Sequence, residues 1–165
     1  MPAALVKPLE LPRDEMAFRK QYQPQLAART LTTVFRPGDR RYPAWRGYVQ
    51  GETITARVIA RTGCDARGLA PIFNGFRAVI RIEDVAVLPV GSLGPADFAG
   101  SSPDVRDAPS LLAHLAAIYG RPIEAFGGIV TRIRFAYVPD AARRRPDRTR
   151  ACQPAVKASI VEPVE

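Results

Sequence analysis

Histidine, cysteine and lysine are scarce in this chain, and each scarcity removes a chemistry. His114 is the only histidine, and the only cysteines, Cys64 and Cys152, stand far apart in loop-like sequence. Neither thiol has a metal-ligating neighbour at a usable spacing, so no metal site is expected. Two cysteines build no disulfide framework, and a reducing cytoplasm is the default setting. No nucleophile elbow accompanies His114, which disfavours a Ser-His-Asp triad and leaves this histidine as a helix-face residue. The glycine patterns that cradle nucleotide phosphates or dinucleotides are missing, and no cofactor is expected. No apolar run approaches the roughly 20 residues needed to cross a bilayer. The opening Met1–Glu10 is too short and too broken by proline to read as a signal peptide. Lysine is confined to Lys7, Lys20 and Lys157, so the cationic side chains are almost all arginine.

Arginine is what the chain has in excess. The net charge is +8, in a chain that is 47% hydrophobic and 24% charged, the balance of a globular protein with a polyanion among its expected partners. Three strand-like runs carry arginine opposite an apolar set. Ile54, Ala56 and Val58 oppose Thr53, Thr55 and Arg57; Phe76, Ala78, Ile80 and Ile82 alternate with Arg77 and Arg81; Ile129, Ile133, Phe135 and Tyr137 alternate with Arg132 and Arg134. Side chains alternate between the two faces of a strand, so each run offers one face to a core and a basic face to solvent. The basic faces could together form a phosphate track, or be no more than a solvated surface that discourages edge aggregation.

Around these runs the chain divides into a loose arm (1–12), a folded domain (13–138) and an Arg/Pro-rich tail (139–165) containing Arg143, Arg144, Arg145, Arg148 and Arg150, which reads as disordered. Asp14 is placed to cap a helix reaching about Ala28, with Pro24 kinking it. A β-prone run, Thr30–Arg36, ends at the Pro37-Gly38 turn. Residues 39–50 form a basic, aromatic loop, and 61–75 a long hairpin connection. The long strand over 76–88 changes register near Glu83-Asp84, where a bulge would restore it. One helical turn is expected at Pro95–Ala99. Asp107 caps a helix from Pro109 to Tyr119 that carries Leu111, Leu112, Leu115 and Ile118 on one stripe, and Gly120 ends it. The predicted fold is α+β: a small closed or half-closed barrel of about five to six strands, with two to three flanking helices.

That order, with the residues at its joints, resembles the ASCH domain of the PUA-like superfamily over about residues 26 to 138. Leu26–Arg36 is similar to the family's helix-to-strand entry, and Tyr48-Val-Gln-Gly-Glu-Thr-Ile54 to its segment before a strand. Ala78–Val85 resembles its central strand, Leu93-Gly-Pro-Ala-Asp-Phe98 its turn, Ser110–Tyr119 its helix and Ile129–Val138 its closing strand. The resemblance implies a PUA-like barrel that binds RNA or a nucleotide in a cleft between barrel and helix. Some members are enzymes, and one branch deacylates N4-acetylcytidine with a lysine and a threonine of the entry motif and an acid beyond the central strand. Here Thr30 stands at the lysine position, preceded by Arg29. Arginine stays protonated and cannot replace a lysine base, which leans against transfer of that mechanism.

Arg36, Arg40 and Arg41, with Trp45 and Tyr48, form the candidate ligand-binding segment: guanidinium for phosphate, ring faces for bases. Arg29 is a further candidate contact. If hydrolysis occurs, Thr33 and Asp104 are the candidate catalytic pair. RNA or a nucleotide is the expected partner, with an acidic protein as the alternative and no membrane association.

Overall fold

The computed structural model describes residues 14–64 and 67–139; the arm at 1–12 and the arginine-rich tail lie outside these. Five strands form a single sheet. They are β1 (Glu15–Arg19), β2 (Thr33–Pro37), β3 (Thr53–Arg61), β4 (Ile72–Pro89) and β5 (Ile129–Tyr137), in the spatial order β1-β3-β4-β5-β2. A five-residue helix, α1 (Gln23–Ala27), follows β1, and α2 (Ala108–Tyr119) lies between β4 and β5. The protein is thus α+β, a curled half-barrel with two flanking helices. Among the described residues no helix is long and apolar enough to cross a membrane.

The curl comes from β4. Its 18 residues pair antiparallel with β3 over the first half and with β5 over the second, and the register shifts between Ile82 and Asp84. This is the bulge expected from the broken alternation at Glu83-Asp84. An extra residue on one strand sharpens its twist and bend, and so turns a flat meander into a trough. The edges of the trough, β1 and β2, end up close together without pairing. Arg36 on β2 spans the gap: its guanidinium donates to the Ala17 carbonyl on β1 at 2.9 Å and lies 5.9 Å from the centre of the Phe18 ring.

One expectation fails at the start of the chain. Residues 14–28 are not a continuous helix. Met16 and Phe18 are fully buried while Glu15, Ala17 and Arg19 are half-buried, a period of two, and the segment pairs parallel with β3 from Glu15↔Thr55 to Arg19↔Ile59. Burial of Met16 and Phe18 in a half-built trough outweighs the local helix signal of an Asp-Glu start, because propensity is a weak prior over five residues. The helix is displaced to Gln23–Ala27, with Pro24 in its first turn, where a missing N–H costs nothing.

Two hydrophobic clusters fill the molecule. The trough holds Met16, Phe18, Leu26, Leu31, Ile54, Val58, Ile80, Ile82, Ile133 and Phe135. The second lies beneath α2, where Leu111 and Leu115 pack with Phe35, Phe98, Val105 and Val130. Asp107 caps α2 by accepting the Ser110 N–H at 2.8 Å, Ser110 Oγ returns the bond to the Asp107 N–H at 3.1 Å, and Gly120 closes the helix at φ +64°.

Gly100 ties the clusters together. Its carbonyl accepts the N–H groups of both Thr32 and Thr33, at φ +79°, and a Cβ here would overlap Thr32 Oγ1. Gly100→Ala combines left-handed strain with a clash against the Thr32 side-chain hydroxyl, which must rotate away, so it should destabilise the domain by about 1–2 kcal/mol in urea unfolding. A loss below about 0.5 kcal/mol would show that the turn yields freely.

Candidate functional site

The arginines of the strand faces are not the open basic surface that their alternation suggests. Arg57 reaches Glu15 at 2.7 Å, with both side chains largely buried. Arg132 sits between Asp97 and Asp84, bonded to both, with 13% of its side chain exposed. Arg81 approaches Glu83 at 3.5 Å, and Arg134 donates to the Ala96 carbonyl at 2.8 Å. Carboxylates brought in by β1, by β4 and by the Pro95–Phe98 turn pair with Arg57, Arg81 and Arg132, and Arg77 is exposed and Arg134 turned to a carbonyl, so the five form no continuous phosphate track.

A different set of arginines makes a positive concavity. Between the unpaired edges β1 and β2, and between the two hydrophobic clusters, lies a cavity of about 480 Å³. Arg19, Arg36, Arg40 and Arg46 line it, together with Tyr22, Tyr48 and Tyr119; among the described residues no aspartate or glutamate does. Val34 and Arg36 share one face of β2, opposite the buried Thr33 and Phe35, and this puts Arg36 at the gap. Arg40 is delivered by the loop after β2. The buried Thr131 hydroxyl on β5 accepts the Arg40 N–H at 2.8 Å and donates to the Gly38 carbonyl at 2.7 Å, which pins that loop to the sheet. The loop then folds back on itself, the Tyr48 N–H donating to the Arg40 carbonyl at 2.7 Å.

The guanidinium of Arg40 is almost out of solvent, at 6% exposure for the residue, and its Nε donates to the Pro37 carbonyl at 3.3 Å. Burial lowers its pKa, and the charges of Arg36 and Arg46 push the same way against the phenols of Tyr119 and Tyr48. Arginine nonetheless stays charged at neutral pH. Trp45 stands outside the cavity wall. Its ring backs Arg46 at 4.2 Å and Arg40 at 5.1 Å, so it props the cationic cluster and presents a half-exposed edge to solvent. Arg41 is exposed and paired with Asp39 at 2.7 Å, and Arg29 lies over the Tyr137 ring; neither lines the cavity. Of the sequence candidates, Arg36, Arg40, Tyr48 and Thr33 therefore converge on one space.

Thr33 and Asp104 are not arranged as a reacting pair. The Thr33 hydroxyl is buried and donates to the Ala99 carbonyl at 2.7 Å. Asp104 instead anchors, from behind the cavity wall, a polar cluster of the lining residues Tyr22, Ser102 and His114 that sequence reasoning missed. It accepts from Tyr22 Oη at 3.0 Å, from Gln21 at 3.2 Å and from Ser102 Oγ, and His114 Nδ1 lies 3.5 Å away. Tyr22 also lies 3.0 Å from His114 Nε2. Burial, reinforced by Asp104, pushes the Tyr22 pKa up to about 12. Burial raises the Asp104 pKa, but the bonds from Ser102 and Tyr22 prevail and hold it below the usual carboxylate value. Arg19 ends, and Tyr22 follows, a strand that the sequence presents as a helix, and both escaped notice for that reason. His114 was visible only as a lone residue on α2.

Burial also lowers the pKa of His114, with Arg36 and Arg19 adding to the effect and Asp104 opposing it. A histidine kept neutral by the fold binds its proton more tightly when unfolded. Its contribution is therefore complete above about pH 6.5 and declines as pH falls from there to the depressed folded value. Urea unfolding from pH 7.5 to 5 should show this loss, and His114→Gln should flatten it. An equal slope in that variant would assign the loss elsewhere.

Comparison with known proteins adds little. No family model matches the chain and no curated protein does. Among solved structures, a crystal structure of an Enterococcus faecalis protein, described as DUF984, aligns with 72% of this chain and 70% of its own. It does so at 12% identity and a TM-score of 0.43, a likeness too slight to speak for a fold family or a ligand. The resemblance to ASCH domains rests on the sequence segments alone.

Proposed function

We propose that this protein is an ASCH-like binding module for RNA or a nucleotide, with the ligand seated in the cationic cavity between β1 and β2. The observation that carries this reading is the pairing of Arg36 and Arg40 in one cavity whose walls, among the described residues, hold no carboxylate. Charges removed from water are ordinarily paired, as Arg57 and Arg132 are. Two guanidiniums on one wall, with no counter-ion among the described residues, call for an anionic ligand. The volume suits a small-molecule pocket, and the rings of Tyr48 and Tyr119 offer surfaces for a base.

Titration of labelled single-stranded RNA and of nucleotides at increasing salt tests this. Affinity should fall steeply, with a log–log slope that loses about 0.7–0.9 for each phosphate-contacting arginine removed. If neither RNA nor any nucleotide is retained at low salt, the reading fails and an acidic protein becomes the better partner.

Hydrolysis of an acylated nucleoside or of RNA draws less support. Thr33 reaches the cavity, but its proton is committed to Ala99, and Lys20, the only lysine among the described residues, does not line the space. Release of cytidine from N4-acetylcytidine, lost on Thr33→Ala, would reverse that judgement.

A further inference from the structure

We propose, resting on the nucleotide-binding reading, that the Arg36–Arg40 wall is a receptor for a phosphomonoester dianion, as carried by a mononucleotide or the phosphorylated end of an RNA, and selects it over an internal phosphodiester or a neutral nucleoside. The count of unneutralised charge leads to this. Among the described residues, neither guanidinium has a carboxylate within 4.0 Å, whereas Arg41, Arg57, Arg81 and Arg132 each have one. Arg36 spends one nitrogen on the Ala17 carbonyl, and Arg40 spends its Nε on the Pro37 carbonyl. Tyr48 is a further hydrogen-bond partner of Arg36, and none of the other nitrogens of either guanidinium is a fully buried orphan, so they are left to the cavity that both residues line.

Like charges that share a concavity walled in part by Phe18, Leu31 and Phe35 repel more strongly than at an open surface. A neutral nucleoside leaves that repulsion in place, and a diester monoanion cancels half of it. A monoester carries about two negative charges at neutral pH and three terminal oxygens, enough to meet both forks. The two arginines are also held as a receptor should be. Arg36 is fixed across the β1–β2 gap, and the Arg40 backbone is fixed by Thr131, so little freedom is lost when the ligand arrives. A volume of about 480 Å³ holds roughly one nucleotide, which fits a chain end or a free mononucleotide better than the middle of a strand.

Calorimetric titration of the full chain decides the matter with four ligands on each base: the nucleoside, its 2′,3′-cyclic phosphate as a monoanionic diester, its 5′-monophosphate and its 3′-monophosphate. At least one monophosphate should bind tenfold or more tighter than the cyclic diester and the nucleoside. Arg40→Gln and Arg36→Gln should each remove most of the monophosphate's advantage over the cyclic diester and the nucleoside. The ligand series on the unaltered chain settles the point even if a variant fails to fold. Equal affinity for monoester and cyclic diester would overturn the inference and leave the nucleotide reading standing. No binding of any nucleotide or RNA would overturn both. Inorganic phosphate binding as tightly as every nucleotide would support the dianion receptor and remove the nucleotide. A hexanucleotide bearing a 5′- or 3′-phosphate, set against its hydroxyl form and against the mononucleotide, supports the inference by its phosphate preference and identifies the source by which ligand binds tighter.

Discussion

Arg36→Met should lose both ligand and stability, and the ligand effect should be the larger. The methionine keeps a flexible chain against Phe18 but removes the charge and the bond to the Ala17 carbonyl. Charge-assisted contacts to phosphate are strong, so affinity should fall about 100-fold, equivalent to about 2.7 kcal/mol. Stability should fall by only about 1–2 kcal/mol. A hydrogen bond to a charged group contributes about 1.5–3 kcal/mol, and relief of repulsion with Arg40 returns part of it. Arg36→Lys should lie between, since a point charge cannot hold the Ala17 carbonyl and a phosphate with the same fork. If affinity is unchanged while stability drops, Arg36 is a strut and the cavity is not a receptor.

Arg132→Met should give the largest loss of stability, with ligand affinity left intact once the variant is folded. Asp97 and Asp84 would face each other across the space the guanidinium leaves, both short of their partner. Breaking a buried ion pair from one side costs about 3–5 kcal/mol. Asp84 is partly exposed and can recover water, so about 2–4 kcal/mol is expected. In a chain of this size that lowers Tm by roughly 5–15 °C. Arg132→Met with Asp97→Asn should recover more than half, and a double-mutant cycle with less than about 0.5 kcal/mol of coupling would show that the pair is not a structural unit.

The architecture was legible where one face of an element is buried over many residues. The alternation of Ile54, Ala56 and Val58, the broken period at Glu83-Asp84 and the capped, Leu-striped α2 all survive in the structure. The first strand was not legible. Five residues behind an Asp-Glu pair carry too few apolar positions to separate a period of two from a helical turn, and their pairing with β3 is set by contacts some 40 residues away. The site was half legible, for a related reason. Periodicity says which side of a strand is polar, but not which other element will face it. Arg57 and Arg132 therefore looked as free as Arg36. The difference is that Glu15, Asp84 and Asp97 are folded onto the first two, while among the described residues nothing acidic is folded onto Arg36 or Arg40.

The pairing of β2 with β5 carries a consequence for how the protein is made. Thr33 lies opposite Arg134, and among the described strands β5 is the one that β2 pairs with, so the strand that holds Arg36 takes its sheet partner from the end of the fold. A nascent chain that has emerged as far as α2 can zip the hairpin of β3 and β4 but lacks the strand that β2 pairs with, leaving it such contacts as those to Ala17, Ala99 and Gly100. Contacts of such long separation form late. The cavity wall is therefore completed only after β5 has left the ribosome, and a translation product that stops short of β5 is expected to capture no anion.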